Sequence, residues 1–186
     1  EILPSLVAAK KGRNQALLKL GRTAELDLTV ANFSGMEVPI SDFAERVLAG
    51  VDFSKTRMSR PAFQKADLTG SNFSGGSVYQ GNFKDAKMAG VQFDNASTYA
   101  CDFSNADLES AKFNGADIRE GNFQSANLRW AIFAKARAEK ANFSHAVVKS
   151  ANFKNAFLYG ADFSSVDLSG HDLSGLEMQG ARFVNA

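Results

Sequence analysis

The chain is poor in the residues that catalysis and metal binding draw on. It has one cysteine, Cys101, and two histidines, His145 and His171, among 186 residues. A lone cysteine excludes a disulfide framework within the chain, and no Cys/His grouping has the spacing of a metal site. Side chains that exchange protons near neutral pH are therefore scarce. No Gly-rich phosphate loop follows a strand, and no apolar run approaches the ~20 residues of a membrane span. The net charge is +1, so neither sign dominates. These absences predict a protein that is not an enzyme, uses no cofactor or metal, and does not enter a membrane. The missing disulfides fit a reducing compartment, so the expected location is the cytoplasm.

What the chain has in abundance is a large apolar residue at every fifth position. Phe returns every ten residues from Phe33 to Phe183, with Leu173 the exception. Between these lie apolar residues from Leu28 to Met178, with Thr98 the one polar residue and Ala138 the smallest. Two places before this anchor, half of the positions are Ala. Two places after it, Gly and Asn recur, as at Gly50, Gly70, Gly90, Asn105, Gly160 and Gly170. An amphipathic helix turns about 100° per residue, so five residues would scatter the anchors around it. A strand repeats every two, and five is odd, so successive anchors would face opposite sides. A chain that turns a corner at each fifth residue keeps them on one side, and Gly and Asn tolerate the left-handed backbone of a tight corner. Four such sides close a coil of about twenty residues, and stacked coils form a β-solenoid.

The repeated form, as in Ala66-Asp67-Leu68, Ala106-Asp107-Leu108, Ala141-Asn142-Phe143 and Ala151-Asn152-Phe153, resembles the pentapeptide-repeat family. The resemblance covers residues 26–186 and implies an all-β fold, a right-handed quadrilateral β-helix of about eight coils. It implies that the anchor and the small residue point inward while the other three face solvent. Cys101 then falls in the inward small-residue column, and the Asp and Asn before the anchors become outward polar groups of turns and ladders. At strand spacing, eight coils give a rod of roughly 38 Å.

Residues 1–25 lie outside the repeat. A short helix is expected at 14–21, between an Asn14 cap and a Gly21 stop, with Leu17, Leu18 and Leu20 covering the open end of the solenoid. Arg46, Thr56 and Pro61 occupy inward columns near the start, which predicts irregular first turns. His171 replaces a small residue near the other end and is expected to swing toward solvent. The last turn, with Leu168, Leu173, Met178 and Phe183, has no sequence left to cover it. Either the protein continues or a second copy packs there, and the resemblance implies a homodimer. Glu1 in place of Met suggests a processed chain or part of a larger bacterial assembly, such as a secretion or effector component.

Summed over the four sides, the charge is +1 on the side of Phe33 and Phe53, 0 on that of Val38 and Met58, −2 on that of Phe43 and Phe63, and −1 on that of Leu28 and Leu48. No side is a basic stripe, so nucleic acid is not an expected partner. Some members of the family protect DNA gyrase from quinolones by imitating duplex DNA. That alternative calls for a strongly negative rod, which this is not. The outward residues that stand out are aromatic or arginine, Tyr79, Tyr99, Arg119, Arg137, Phe157 and Tyr159 on one side and Arg129 and Trp130 at a corner of the opposite one, with the large apolar Ile132 just past that corner. Such types dominate protein interfaces. The expected function is a scaffold or adaptor rod that binds another protein.

Overall fold

The structure, a computed structural model, describes residues 32–38 and 41–186. The expected helix at 14–21 and the first repeat unit at 26–30 lie outside the described residues. Within them, β1 (Glu37–Val38), β2 (Arg57–Ser59) and β3 (Ser77–Tyr79) form a parallel sheet in that order. The register is Val38 opposite Met58 opposite Val78, a step of twenty residues. Elsewhere the straight pieces reduce to single parallel bridges with the same step, such as Asn72 to Gln92, Asp107 to Asn127 and Ile132 to Asn152. The coil is therefore a twenty-residue ring with four sides, and each ring sits on the next.

The hydrogen bonds account for the five-residue unit completely. The anchor N–H donates to the following coil, as from Phe93 to the Lys112 carbonyl at 2.7 Å, and so does the corner N–H, from Asn95 to Asn114 at 2.9 Å. The residue before the anchor donates to the preceding coil, from Gln92 to Ser71 at 3.0 Å. The small residue closes the turn locally, from Ala96 to the Phe93 carbonyl at 2.9 Å. That leaves the N–H just after the anchor, and the Asp or Asn just before it supplies the acceptor: Ser54 to Asp52 Oδ1 at 2.9 Å, Ser74 to Asn72 Oδ1 at 2.9 Å. Every backbone donor in such a unit is thus satisfied without water. The outward Asp/Asn column is the fifth acceptor of the turn, and Asn122 and Asn142 link it coil to coil through Nδ2 bonds to Asp102 and Asn122.

Corner residues take positive φ throughout, from Gly90 (67°) to Lys135 (60°) and Trp130 (56°). Inside, two columns of Phe stack along the axis, with Phe93 and Phe113 5.1 Å apart and 9° from parallel. The columns meet edge to face across the core, as do Phe103 and Phe113 at 6.0 Å and 83°. This is the offset and T-shaped arrangement that the ring quadrupole favours. Ala fits between because the close-packed interior has no room for a second large residue on each side. Cys101 is buried in the small-residue column, donates to the Val78 carbonyl and accepts from the Gly81 N–H, both at 3.2 Å. Burial pushes its thiol up to about 12, so it stays protonated.

Two expectations about departures from the pattern are corrected. The turns at Arg46, Thr56 and Pro61 are regular, with bridges from Asp42 to Ala62, Val47 to Asp67 and Asp52 to Asn72. Thr56 is buried because its hydroxyl donates to the Phe53 carbonyl at 2.6 Å. Pro61 is tolerated because the N–H it lacks would make only the local turn bond, while its carbonyl still accepts from Asn82 at 2.9 Å. Arg46 is half-buried. His171 does not swing out. It is half-buried, with Nε2 2.9 Å from the Val148 carbonyl and Nδ1 3.2 Å from that of Leu168.

Candidate functional site

The twenty-residue step places Tyr79, Tyr99, Arg119, Glu139 and Tyr159 in one outward column, each just after an anchor. Ser97, Asp117, Arg137 and Phe157 run beside them just before it, joined by parallel bridges. Tyr79 and Tyr99 stack at 5.8 Å and 5° from parallel. The Arg119 guanidinium lies 5.7 Å from the centre of the Tyr99 ring, a cation–π contact. Its fork is fixed from behind by Asp117, Nε to Oδ1 at 2.7 Å and Nη2 to Oδ2 at 2.6 Å. Arg137 reaches Asp117 at 3.9 Å and Glu139 at 3.5 Å, which carries the network one coil further; Phe157 follows Arg137 across a backbone bridge, with Tyr159 two residues on.

The charges of this network hold each other. Burial raises the proton affinity of Asp117, but the Arg119 hydrogen bonds and the two nearby guanidinium groups outweigh it and hold the carboxyl below its usual range. Hydrogen bonding to Asp117 in turn pushes Arg119 upward. The Glu120 carboxylate beside the Tyr99 hydroxyl pushes that phenol up. A bidentate arginine–carboxylate pair fixes direction as well as charge, so this face presents a tyrosine pair and an immobilised guanidinium. Coil-to-coil ion pairs elsewhere, Arg57 to Glu37 at 3.6 Å and Lys65 to Glu45 at 3.8 Å, are exposed and worth little.

The nine residues singled out in the sequence divide into two groups. Tyr79, Tyr99, Arg119, Arg137, Phe157 and Tyr159 share the face just described, where Tyr79, Phe157 and Tyr159 are about two-fifths exposed. Arg129, Trp130 and Ile132 are not brought to it. Trp130 is half-exposed at a corner, Arg129 donates to Asn127 Oδ1 at 3.1 Å, and Ile132 is half-buried between Lys112 and Asn152. Sequence reasoning missed Asp117, which orients both arginines; its signal was a carboxylate two places before Arg119. It also missed Val47 and Val147, exposed apolar residues in the column before the anchor. At the last coil, Leu168 and Met178 pack partly on the core, Leu173 lines a cleft, and Phe183 is exposed while stacking on Phe163 at 5.7 Å.

Comparison with known proteins bears on the fold. A family model described as "Pentapeptide repeat region" matches residues 41–123, and one described as "Pentapeptide repeats (8 copies)" matches 122–158, 141–175 and 158–186. Among solved structures, the chain is similar to QnrB1, a plasmid-mediated fluoroquinolone resistance protein, with 19% identity, a TM-score of 0.64, and coverage of 82% of this chain and 84% of that one. It is similar at 30% identity to a pentapeptide repeat protein from the Arabidopsis thaliana thylakoid lumen, with a TM-score of 0.44 over 57% and 71% of the two chains. HetL of Nostoc, involved in heterocyst differentiation regulation, shares 21% identity at a TM-score of 0.40 over 83% and 81%. Among curated proteins, none matches.

Proposed function

This chain belongs to the pentapeptide-repeat family, and on that premise we propose that it is a non-enzymatic scaffold rod that binds another protein through the face of Tyr79, Tyr99, Arg119, Arg137, Phe157 and Tyr159. One observation carries the reading: Arg119 lies over Tyr99 while Asp117 grips its guanidinium at two points. Tyr and Arg are the residue types that anchor interfaces. Here they are held by ring stacking and ion pairing before any partner arrives, so docking loses little side-chain entropy. The rod supports this role because its outward columns are registered by a hydrogen-bonded ladder and cannot slide.

The likeness to QnrB1, at 19% identity, extends to the fold. The near-neutral sides of this rod do not favour imitation of DNA, and a supercoiling assay with quinolone is expected to give no protection of gyrase at micromolar protein. Affinity capture tests the main reading. Tyr99→Ala with Arg119→Ala is expected to lower partner affinity at least tenfold, about 1.4 kcal/mol or more, and Trp130→Ala on the opposite side to leave it unchanged. Equal loss from all variants, or none from any, would refute it. A second copy docking on the end coil through Leu168, Leu173, Met178 and Phe183 belongs to the same proposal. By light scattering, Phe183→Lys is expected to halve the mass of such a dimer.

A further inference from the structure

Among the described residues, the ladder between coils opens in the last coil. Leu128, Trp130, Phe133 and Lys135 donate to carbonyls of the next coil at 2.8, 3.1, 2.7 and 3.0 Å. Twenty residues on, the corresponding N–H groups of Val148, Ser150, Phe153 and Asn155 meet no carbonyl, and the Ala146 and Ala151 carbonyls receive no N–H from Asp167 and Asp172. The bridges expected for Val147 with Asp167 and for Asn152 with Asp172 are missing, whereas those from Phe157 to Glu177 and Asp162 to Arg182 persist. Two adjacent sides of the last coil thus stand away from the coil before it, across a cleft of about 630 Å³.

His171 is the wedge. Its column holds Val51, Ser71, Val91, Ala111, Ala131 and Ala151 in the preceding coils, all buried. The imidazole is too long for that place. It spans from the Leu168 carbonyl of its own coil to the Val148 carbonyl of the preceding one, 6.5 Å from the Phe153 ring.

We propose that this cleft is a docking site for an extended segment of a partner protein, which pairs its backbone as an inserted strand with one straight side of the edge, 146–150 or 151–155, on either side of the Ser150 corner. Unpartnered N–H groups on buried residues such as Val148 and Phe153 are rare in folded chains; Ser150 and Asn155 are exposed. Here each side offers one acceptor, at 146 or 151, followed by two donors, at 148 and 150 or at 153 and 155, as an open strand edge does. A small anion would use the donors and leave both carbonyls unmet. The columns specify the occupant's side chains. Its inward position would lie between Phe153 and Leu173, which calls for an apolar residue. The position after it adjoins Lys149 or Lys154 and calls for an acid; the position before it faces Asp167 or Asp172 and calls for a base. The cleft contains none of the six residues of the tyrosine face, so its fate is independent of that reading; it shares Leu173 with the proposed end-coil contact, which the dependence on protein concentration distinguishes.

Amide hydrogen exchange on the full chain tests this, with an acetylated, amidated peptide Ser-Gly-Lys-Val-Glu-Gly-Ser as probe. In the free protein the four N–H groups at 148, 150, 153 and 155 are expected to exchange on the order of a hundredfold faster than those of Leu128, Trp130, Phe133 and Lys135. Millimolar probe is expected to slow them, and a probe with Lys and Glu exchanged to slow them less. His171→Ala, or His171→Ser as a second variant, is expected to close the cleft, protecting the same four groups without probe and abolishing the probe's effect. Slow exchange in the free wild-type protein, no protection by either probe, or unchanged exchange in both variants would overturn the proposal. So would protection that follows protein concentration instead of probe, which would assign the cleft to a second copy.

Discussion

Thr98 occupies an anchor position that is apolar in the neighbouring coils of its side, fully buried, and its hydroxyl has no partner. The side chain fills the volume of Val, but one desolvated oxygen is left unmet. Thr98→Val removes that oxygen without changing shape, so urea unfolding is expected to report a gain of about 1 kcal/mol. Cys101 shows the opposite accommodation, since its sulfur both donates and accepts within the wall. Arg119 shows a third: two bonds to Asp117 leave its flat face free to cover Tyr99. In each case the column sets the place of the side chain, and its hydrogen-bond partners set its chemistry.

The five-residue unit owes its corner to the carboxylate or amide before the anchor. The Thr69, Ser164, Ser169 and Ser174 hydroxyls, followed by the backbone N–H of the same residues, hold Asp67, Asp162, Asp167 and Asp172 below the usual carboxylate range. A carboxyl that is more acidic folded than unfolded stabilises the fold above its unfolded value, about 3.9. That contribution disappears as pH falls through the lower folded value. Thermal melts are therefore expected to be flat from about pH 7 to 5 and to drop below about pH 4. Asp→Asn at all four positions is expected to flatten the drop, because the amide Oδ1 still accepts the turn N–H and does not titrate in that range. An equal drop in the quadruple variant would show that other groups govern acid unfolding.

A stack of rings is stabilised from its middle. Phe113 touches Phe93 and Phe133 along its column at 5.1 and 5.0 Å and Phe103 and Phe123 across the core at 6.0 and 5.8 Å. Phe183 has one stacking neighbour, Phe163, and is 39% exposed. Phe113→Ala is expected to cost about 3–5 kcal/mol, and Phe183→Ala under about 2 kcal/mol, by denaturant unfolding. Similar losses at both sites would contradict the nearest-neighbour picture of a solenoid. The gradient also fits the cleft beneath the preceding coil, where the ladder has already given way on two sides.

The rod, its inward Phe and Ala columns and its turn-forming Asp and Asn were legible in the order of residues. Each unit repeats the same local solution, and twenty residues bring every side chain above its own kind. The tyrosine column was legible for the same reason. The fate of four side chains was not. Pro61, Thr56 and His171 break the same inward rule, yet the first two are absorbed and the third pries a coil open. The difference lies in which hydrogen bonds each disturbs: Pro61 forgoes one local turn bond, Thr56 answers its own hydroxyl with the Phe53 carbonyl, and His171 reaches across to the preceding coil's edge. Arg119 could have pointed to solvent; Asp117 and the Tyr99 ring together turn it along the face. The spacing of residues sets the ladder because backbone geometry is the same in every unit, whereas the cleft and the gripped guanidinium depend on how particular side chains compete for particular carbonyls and carboxylates once the coils are stacked.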